Sequence, residues 1–168
     1  SRGYQMIASY TYGKTIDDVT DLNFVQAPQD PNNSRAERGL SAYNVNHRLS
    51  VASLFESPFD GSAGKPFYQR VLADFYFSPI ATVRSGFPFN ILTGVDINQD
   101  NNNNDRPFAV GRNTGIGPGF FAVDMRLGRR FRFGADGQRS VETILDAFNL
   151  FNRVNYKDVN NNTGGVLY

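Results

Sequence analysis

The stretch FFAVDMRLGRRFRF, at positions 120–133, decides the fold of this chain. Every second residue from Phe121 to Phe133 is apolar except Arg129, and most of the residues between them are small or charged. A period of two is that of a β-strand with one apolar and one polar face, whereas a helix repeats every 3.6 residues. The stretch therefore predicts a long strand over 120–133.

A partner strand is predicted at 139–151, RSVETILDAFNLF. The five residues before it, 134–138, have the length of a hairpin turn. A turn symmetric about Asp136 brings opposite charges together on the polar face and leucines together on the apolar face. The predicted pairs are Arg126 with Asp146, Arg130 with Glu142, and Leu127 with Leu145. A shift by one residue would move every side chain to the opposite face, so the pattern specifies the register.

Three earlier stretches alternate in the same way, at 3–13, 47–57 and 74–85. In the third stretch, Pro79 lacks a backbone N–H and predicts a bend or an unpaired position. With the two later strands, these stretches predict an all-β fold. We expect an antiparallel meander of about five long strands in a single segment, 1–168.

The connections between the predicted strands alternate in length. Residues 14–45 and 86–119 are long, polar and rich in proline, glycine and asparagine, whereas 58–73 and 134–138 are shorter. Outer-membrane barrels have long outer loops and short periplasmic turns. The pattern therefore predicts part of a transmembrane β-barrel, with long loops on one side and short turns on the other.

The composition excludes several classes of protein. With 17 basic and 16 acidic residues the net charge is +1, which provides no field that would attract nucleic acid. The chain has no cysteine, so it has neither disulfides nor thiolate metal sites. No run approaches the roughly 20 apolar residues of a membrane-spanning helix. The start, SRGY, lacks the apolar core of a signal peptide.

Catalytic signatures are missing as well. The chain has one histidine, His47, and no glycine-rich phosphate loop followed by lysine. A single histidine in a chain is expected to form a local hydrogen bond at the rim of the sheet rather than to act as a base or a ligand. Glu142 and Asp146 would lie about 13 Å apart on a strand that rises ~3.3 Å per residue, farther than the paired carboxylates of a glycosidase. We expect no enzyme activity and no prosthetic group.

One stretch has the spacing of a calcium loop. Oxygen-bearing side chains occupy alternate positions in DINQDNNNND, residues 96–105, as they do in the EF-hand. The stretch lacks the glycine and the final glutamate of that motif, so an ordinary solvated turn is the alternative. The candidate calcium ligands are Asp96, Asn98, Asp100, Asn102 and Asp105.

Aromatic residues flank the apolar face. In a barrel they would form the girdles at the two membrane interfaces, with a soluble aromatic core as the alternative. Arg129 interrupts this face, and its stem can lie along Phe131 while the guanidinium reaches the headgroups, which would mark the periplasmic end. The expected girdle residues are Tyr4, Tyr10, Tyr12, Phe131 and Phe133.

Several motifs, in one order along the chain, resemble the carboxy-terminal barrel of TonB-dependent outer-membrane receptors. The resemblance is strongest to the Oar-like group, which carries a carboxypeptidase-regulatory-like domain. The motifs are RAERGLS at 35–41, NHRLSVA at 46–52, VRSGFPF at 83–89, NDRP at 104–107, GRN at 111–113, DMRLGRRF at 124–131 and AFNLFN at 147–152. The resemblance implies a barrel of about 22 strands with an amino-terminal plug, which imports a ligand with energy from the inner membrane.

Because the sequence departs from the family pattern in three ways, we expect the chain to be an inner segment of such a receptor. It has no plug, no energy-coupling box near its start, and about five of the strands, and it stops at GGVLY, 164–168, before the closing strands. A five-stranded sheet has two open edges that must pair with another strand. The expected partners are outer-membrane lipid and the remaining strands of the parent barrel, or copies of the chain itself if it is isolated.

Three functions remain open at this point. The first is the wall of a receptor barrel in the outer membrane of a Gram-negative-type bacterium. The second is a subunit that assembles edge to edge into an extracellular β-rich filament. The third is a soluble β-sandwich that acts as a binding module, in which the two faces of the sheet meet core and solvent.

Overall fold

A computed structural model describes residues 3–19, 28–59, 61–62, 64–133, 139–157 and 159–160. In chain order the elements are β1 (Tyr4–Tyr12), β2 (Ile16–Asp17), a turn of 3₁₀ helix (Ser34–Glu37), β3 (Gly39–Leu40), β4 (His47–Glu56), α1 (Phe67–Leu72), β5 (Phe75–Arg84), β6 (Pro88–Phe89), β7 (Gly115–Ile116), β8 (Phe120–Phe133) and β9 (Arg139–Ala147). Neither described helix is long and apolar enough to cross a membrane. The predicted hairpin turn, 134–138, and the predicted chain end, 164–168, lie outside the described residues.

The five long strands form one sheet in the order β1-β4-β5-β8-β9, which is also their order along the chain. β8 and β9 pair antiparallel, and Leu127 lies opposite Leu145 in the register that the sequence predicts. The short strands form two antiparallel ribbons, one in which β2 pairs with β3 and one in which β6 pairs with β7. The predicted all-β fold with antiparallel strands is confirmed.

Two details of the strands differ from the prediction. β9 ends at Ala147 rather than at residue 151. Asn149 and Asn152 have φ angles of 49° and 48°, in the left-handed region that ends a strand, and the Asn149 N–H turns back to the Asp124 carboxylate at 2.9 Å. Pro79 does not interrupt β5, which runs unbroken from Phe75 to Arg84.

The chain divides into two compact units. The described residues of 1–10, 49–83 and 121–153 form the first unit, which contains most of the length of the five long strands and α1. The described residues of 11–48, 84–120 and 154–168 form the second unit, which contains both ribbons and both long connections.

In the first unit, alternate side chains of neighbouring strands line up on one apolar face. The ring of Tyr4 lies 4.5 Å from that of Phe55, which lies 5.9 Å from that of Phe77. The Arg129 guanidinium lies 4.8 Å from the centre of the Phe75 ring, so β8 continues the same face. We call this set the apolar face: Tyr4, Met6, Ala8, Tyr10, Leu49, Val51, Phe55, Phe75, Phe77, Pro79, Ala81, Val83, Phe121, Val123, Met125, Leu127, Phe131, Phe133, Val141 and Leu145.

The apolar face is not covered by other parts of the described chain. Among the described residues, the buried apolar side chains are Ala73 and Pro88, and neither belongs to the apolar face. Large apolar side chains of the strands are exposed instead, such as Met6 and Leu145. A soluble domain of this length buries most of such surface in a core. The soluble-sandwich alternative requires that core, which the described residues do not form.

Candidate functional site

The opposite face of the sheet, which we call the polar face, carries a row of ion pairs. Arg126 binds both carboxylate oxygens of Asp146, at 2.7 and 2.9 Å. Arg130 lies 3.9 Å from Glu142, and Arg132 lies 3.5 Å from Asp74. The first two pairs join the residues that the sequence places opposite each other.

These charges are partly accessible rather than sealed from water. About half of each arginine side chain is exposed in the pairs with Asp146 and Glu142. Exposed pairs contribute little to stability because water screens them. Between the two arginines on β8, Gly128 leaves room for the ring of Tyr76, which a Cβ atom there would overlap. The polar face is thus suited to line a water-filled interior.

In the second unit, the long connections are joined by a buried ion pair. Arg106 donates from its two terminal nitrogens to the two oxygens of Glu37, at 2.9 and 2.7 Å. The side chains are 7% and 4% exposed. A buried bidentate pair holds its partners in one geometry, and the loss of either partner leaves an uncompensated charge. The pair fixes 34–37 against 104–107.

A second set of contacts ties the same connections together. Arg112 pairs with Asp17 at 2.5 Å and also donates to the Asp17 carbonyl oxygen at 3.1 Å. The side-chain amide of Asn113 donates to the Leu40 carbonyl oxygen at 2.6 Å. A Cβ at Gly39 would collide with the carbonyl oxygen of Arg112, so only glycine allows this approach. We call these residues, with Glu37 and Arg106, the loop cluster.

A cavity of about 630 Å³ lies beside the loop cluster, within the second unit. Its walls include three side-chain amides, four charged groups and one aromatic ring. Among its lining residues are Gln29, Glu37, Asn98, Asp100, Arg106 and Phe108. The volume is in the range of small-molecule sites, and the lining combines polar and apolar residues.

The predicted calcium ligands lie in a loop held by its own hydrogen bonds. Asp105 accepts from the backbone N–H groups of Ile97 and Asn98 at 2.5 and 3.0 Å, and Asp96 accepts from those of Asp100 and Asn101 at 3.1 and 2.8 Å. The remaining carboxylate, Asp100, accepts from the N–H of Asn102 at 2.8 Å. Within the described ranges, no group of three or more His, Cys, Asp or Glu side chains could hold a metal ion. Calcium binding stays a prediction.

Two further residues singled out from the sequence have defined surroundings. His47 lies with its ring 5.1 Å from that of Tyr12, at the start of β4. The guanidinium of Arg129 itself lies over the Phe131 ring, 4.6 Å from its centre, and its predicted reach to the headgroups stays a prediction. Arg129 also donates to the carbonyl oxygen of Arg70, at 3.0 Å, a contact that the sequence did not predict.

The loop cluster was not found by sequence reasoning either. Its ion pairs join residues 69 and 95 positions apart, a separation at which no periodic pattern operates. A signal was nevertheless present. The motifs RAERGLS, NDRP and GRN supply Glu37, Arg106, Arg112 and Asn113, so three separate motifs meet in one cluster.

The apolar face has the height of a membrane band. Phe121 and Phe131 stand ten positions apart on β8, about 33 Å along a strand at ~3.3 Å per residue. A strand tilted by ~45° would carry them about 23 Å across a membrane, close to the ~25 Å apolar band of outer-membrane barrels.

A sheet with one uncovered apolar face, a charged opposite face, and long and short connections in alternation defines the wall of a membrane β-barrel. Residues 1–111 and 108–166 match the family model described as the outer membrane beta barrel domain. The chain belongs to this family, and its place is the outer membrane. No curated protein and no solved structure matches the chain.

Proposed function

We propose that this chain forms part of the wall of a TonB-dependent receptor, which imports a ligand across the outer membrane with energy from the inner membrane. The observation that carries the proposal is the contrast between the two faces of the sheet. The apolar face suits lipid, and the row of partly exposed ion pairs on the polar face suits a water-filled interior.

The loop cluster supports the receptor class within this proposal. Three of the motifs that resemble the Oar-like group supply its buried contacts, and a cavity with polar and aromatic walls lies beside it. In the proposal, the long connections face the outside and meet the ligand first. The chain itself performs no catalysis and holds no prosthetic group, and its partners are lipid and further strands at the edges β1 and β9.

Two adjacent residues of β1 test the assignment of the faces. Ala8 belongs to the apolar face and Ser9 to the polar face, and the chain has no cysteine that would interfere. With the full chain in lipid vesicles, Ser9→Cys should react with a water-soluble maleimide. Ala8→Cys should react only with a membrane-soluble one. Equal reaction of both variants with the water-soluble reagent would contradict a wall in lipid.

The energy-coupled step needs a separate test in cells that carry the receptor. A plug that moves when energy is supplied would change access to the polar face. Labelling of Ser9→Cys should therefore rise in energised cells and fall when the proton-motive force is collapsed. Labelling that does not depend on energy would contradict the TonB-dependent class and leave the barrel wall in place.

A further inference from the structure

The connection between β4 and β5 carries a short helix whose apolar side chains are uncovered. None of the residues of α1 is buried. Phe67 is 80% exposed and Tyr68 is 57% exposed, and Val71 and Leu72 are exposed as well. A helix that shows aromatic and aliphatic side chains to its surroundings is typical of a segment that lies in a membrane interface.

The helix is attached to the apolar side of the sheet. The Nη2 atom of Arg129 donates to the carbonyl oxygen of Arg70, in the last turn of α1, at 3.0 Å. The same guanidinium lies 4.8 Å from the ring centre of Phe75 and 4.6 Å from that of Phe131. Both rings belong to the apolar face. The Arg70 carbonyl oxygen, in the last turn of α1, is therefore held on the side of the apolar face.

The segment that contains the helix carries a net positive charge between two flanking acidic residues, Asp60 and Asp74. The segment 61–72 contains Lys65 and Arg70 and no acidic residue. Arg70 is exposed, and Arg129 adds a third positive charge from β8. Basic side chains beside apolar ones attract anionic lipid headgroups, with the stems in the apolar layer and the charges at the phosphates.

We propose that α1 lies in the headgroup layer of the outer membrane, at the end of the wall where the shorter connections are. Phe67 and Tyr68 insert between lipid chains, and Arg70 and Arg129 bind anionic phospholipid headgroups. The site extends the aromatic girdle formed at this end of the apolar face by Phe75, Phe131 and Phe133. It rests on the proposed function, because a helix beside the apolar face meets lipid only if that face does.

A single tryptophan tests the position of the helix, since the chain has none of its own. In vesicles of phosphatidylcholine and phosphatidylglycerol brominated near the headgroup, the fluorescence of Phe67→Trp should be quenched by the lipid and protected from aqueous iodide. Tyr68→Trp provides a second reporter if the first variant does not fold. The matched control is Phe108→Trp, in a long connection, where the side chain is fully exposed. Iodide quenching of the helix reporters equal to that of the control would overturn the proposal.

A third reporter separates this proposal from the proposed function. Phe77→Trp lies on a strand of the apolar face, and bromine should quench it wherever the wall is embedded. If Phe77→Trp is not quenched, the wall assignment itself fails. If Phe77→Trp is quenched and the helix reporters are not, only the interfacial helix is refuted.

The preference of the site for anionic headgroups is tested with two vesicle preparations of the same lipid mixture. In one the phosphatidylglycerol carries the bromine, and in the other the phosphatidylcholine does. Quenching of Phe67→Trp by brominated phosphatidylglycerol should exceed that by brominated phosphatidylcholine at least twofold. Adding Arg70→Gln and Arg129→Gln should bring this ratio close to one, while Arg129→Lys, which keeps the charge, should preserve most of it. A ratio of one in the parent reporter would refute the anionic site.

Discussion

Glu37 and Arg106, 69 positions apart in the chain, face each other in a buried ion pair with two parallel hydrogen bonds. The pair joins the 3₁₀ turn of the first long connection to the second long connection. Long connections without regular structure are usually mobile. Here a buried, bidentate contact holds two of them in one arrangement.

Removing one partner of this pair should loosen the second unit. Glu37→Ala leaves the Arg106 guanidinium buried without a counter-charge, for which we expect a loss of about 3–5 kcal/mol. Hydrogen exchange of the amides in 34–40 and 104–113 should accelerate accordingly. Asp146→Asn is the control, because it breaks an exposed pair in the first unit and should leave those amides unchanged. Unchanged exchange in Glu37→Ala would show that the pair does not hold the connections.

Gly86 should not tolerate a side chain. A Cβ at this position would overlap the carbonyl oxygen of Gly117, a backbone atom directly after β7 that cannot rotate away. We expect Gly86→Ala to destabilise the second unit by about 1–3 kcal/mol, as overpacking does. Limited proteolysis at 86–119 measures the effect. Gly3→Ala, where a Cβ meets open space, is the matched control, and equal proteolysis of both variants would contradict the close approach.

A charge should be tolerated on one face of the sheet and not on the other. Met125 lies near the middle of the apolar face, and Met125→Arg should cost about 2–4 kcal/mol of folding free energy in a bilayer. Ala52, an exposed residue on the polar face, accepts an arginine with little change. Denaturant titration of both variants in lipid vesicles provides the comparison. Similar losses of folding free energy in the two variants would contradict the assignment of one face to lipid and the other to water.

The calcium prediction has a direct test. If 96–105 binds calcium, calorimetric titration with millimolar calcium gives a binding heat, whereas magnesium, which prefers a smaller octahedral shell, gives none. In the variant Asp96→Asn with Asp100→Asn, two candidate ligands lose their charge and the heat should disappear. No heat from the parent chain would leave 96–105 as a loop stabilised by its own hydrogen bonds.

The sheet was predictable because two independent patterns agree in it. Along β8 and β9 the alternation of apolar residues and the alternation of charge select the same register, the one that places Arg126 opposite Asp146. Both patterns are local in sequence, since they compare each residue only with its neighbours on the same strand and on the adjacent strand.

The loop cluster and α1 were not predictable for different reasons. The contact between Asp17 and Arg112 depends on where two long connections meet in space, which no local pattern encodes. The helix α1 has six residues and begins after Pro66 without a side-chain cap. Neither its length nor a capping residue therefore predicts a helix from the sequence. The sequence did not predict that β9 ends at Ala147, because the asparagines at 149 and 152 are compatible both with a strand and with its end.

In the part of the chain that the structure describes, only two small apolar side chains are buried, Ala73 and Pro88, and this has a consequence for how the protein folds. Because the described strands enclose almost no apolar surface, folding in water alone would gain little from the hydrophobic effect. We expect insertion into the membrane and folding to be one event, and until then the apolar face needs a partner that shields it from water.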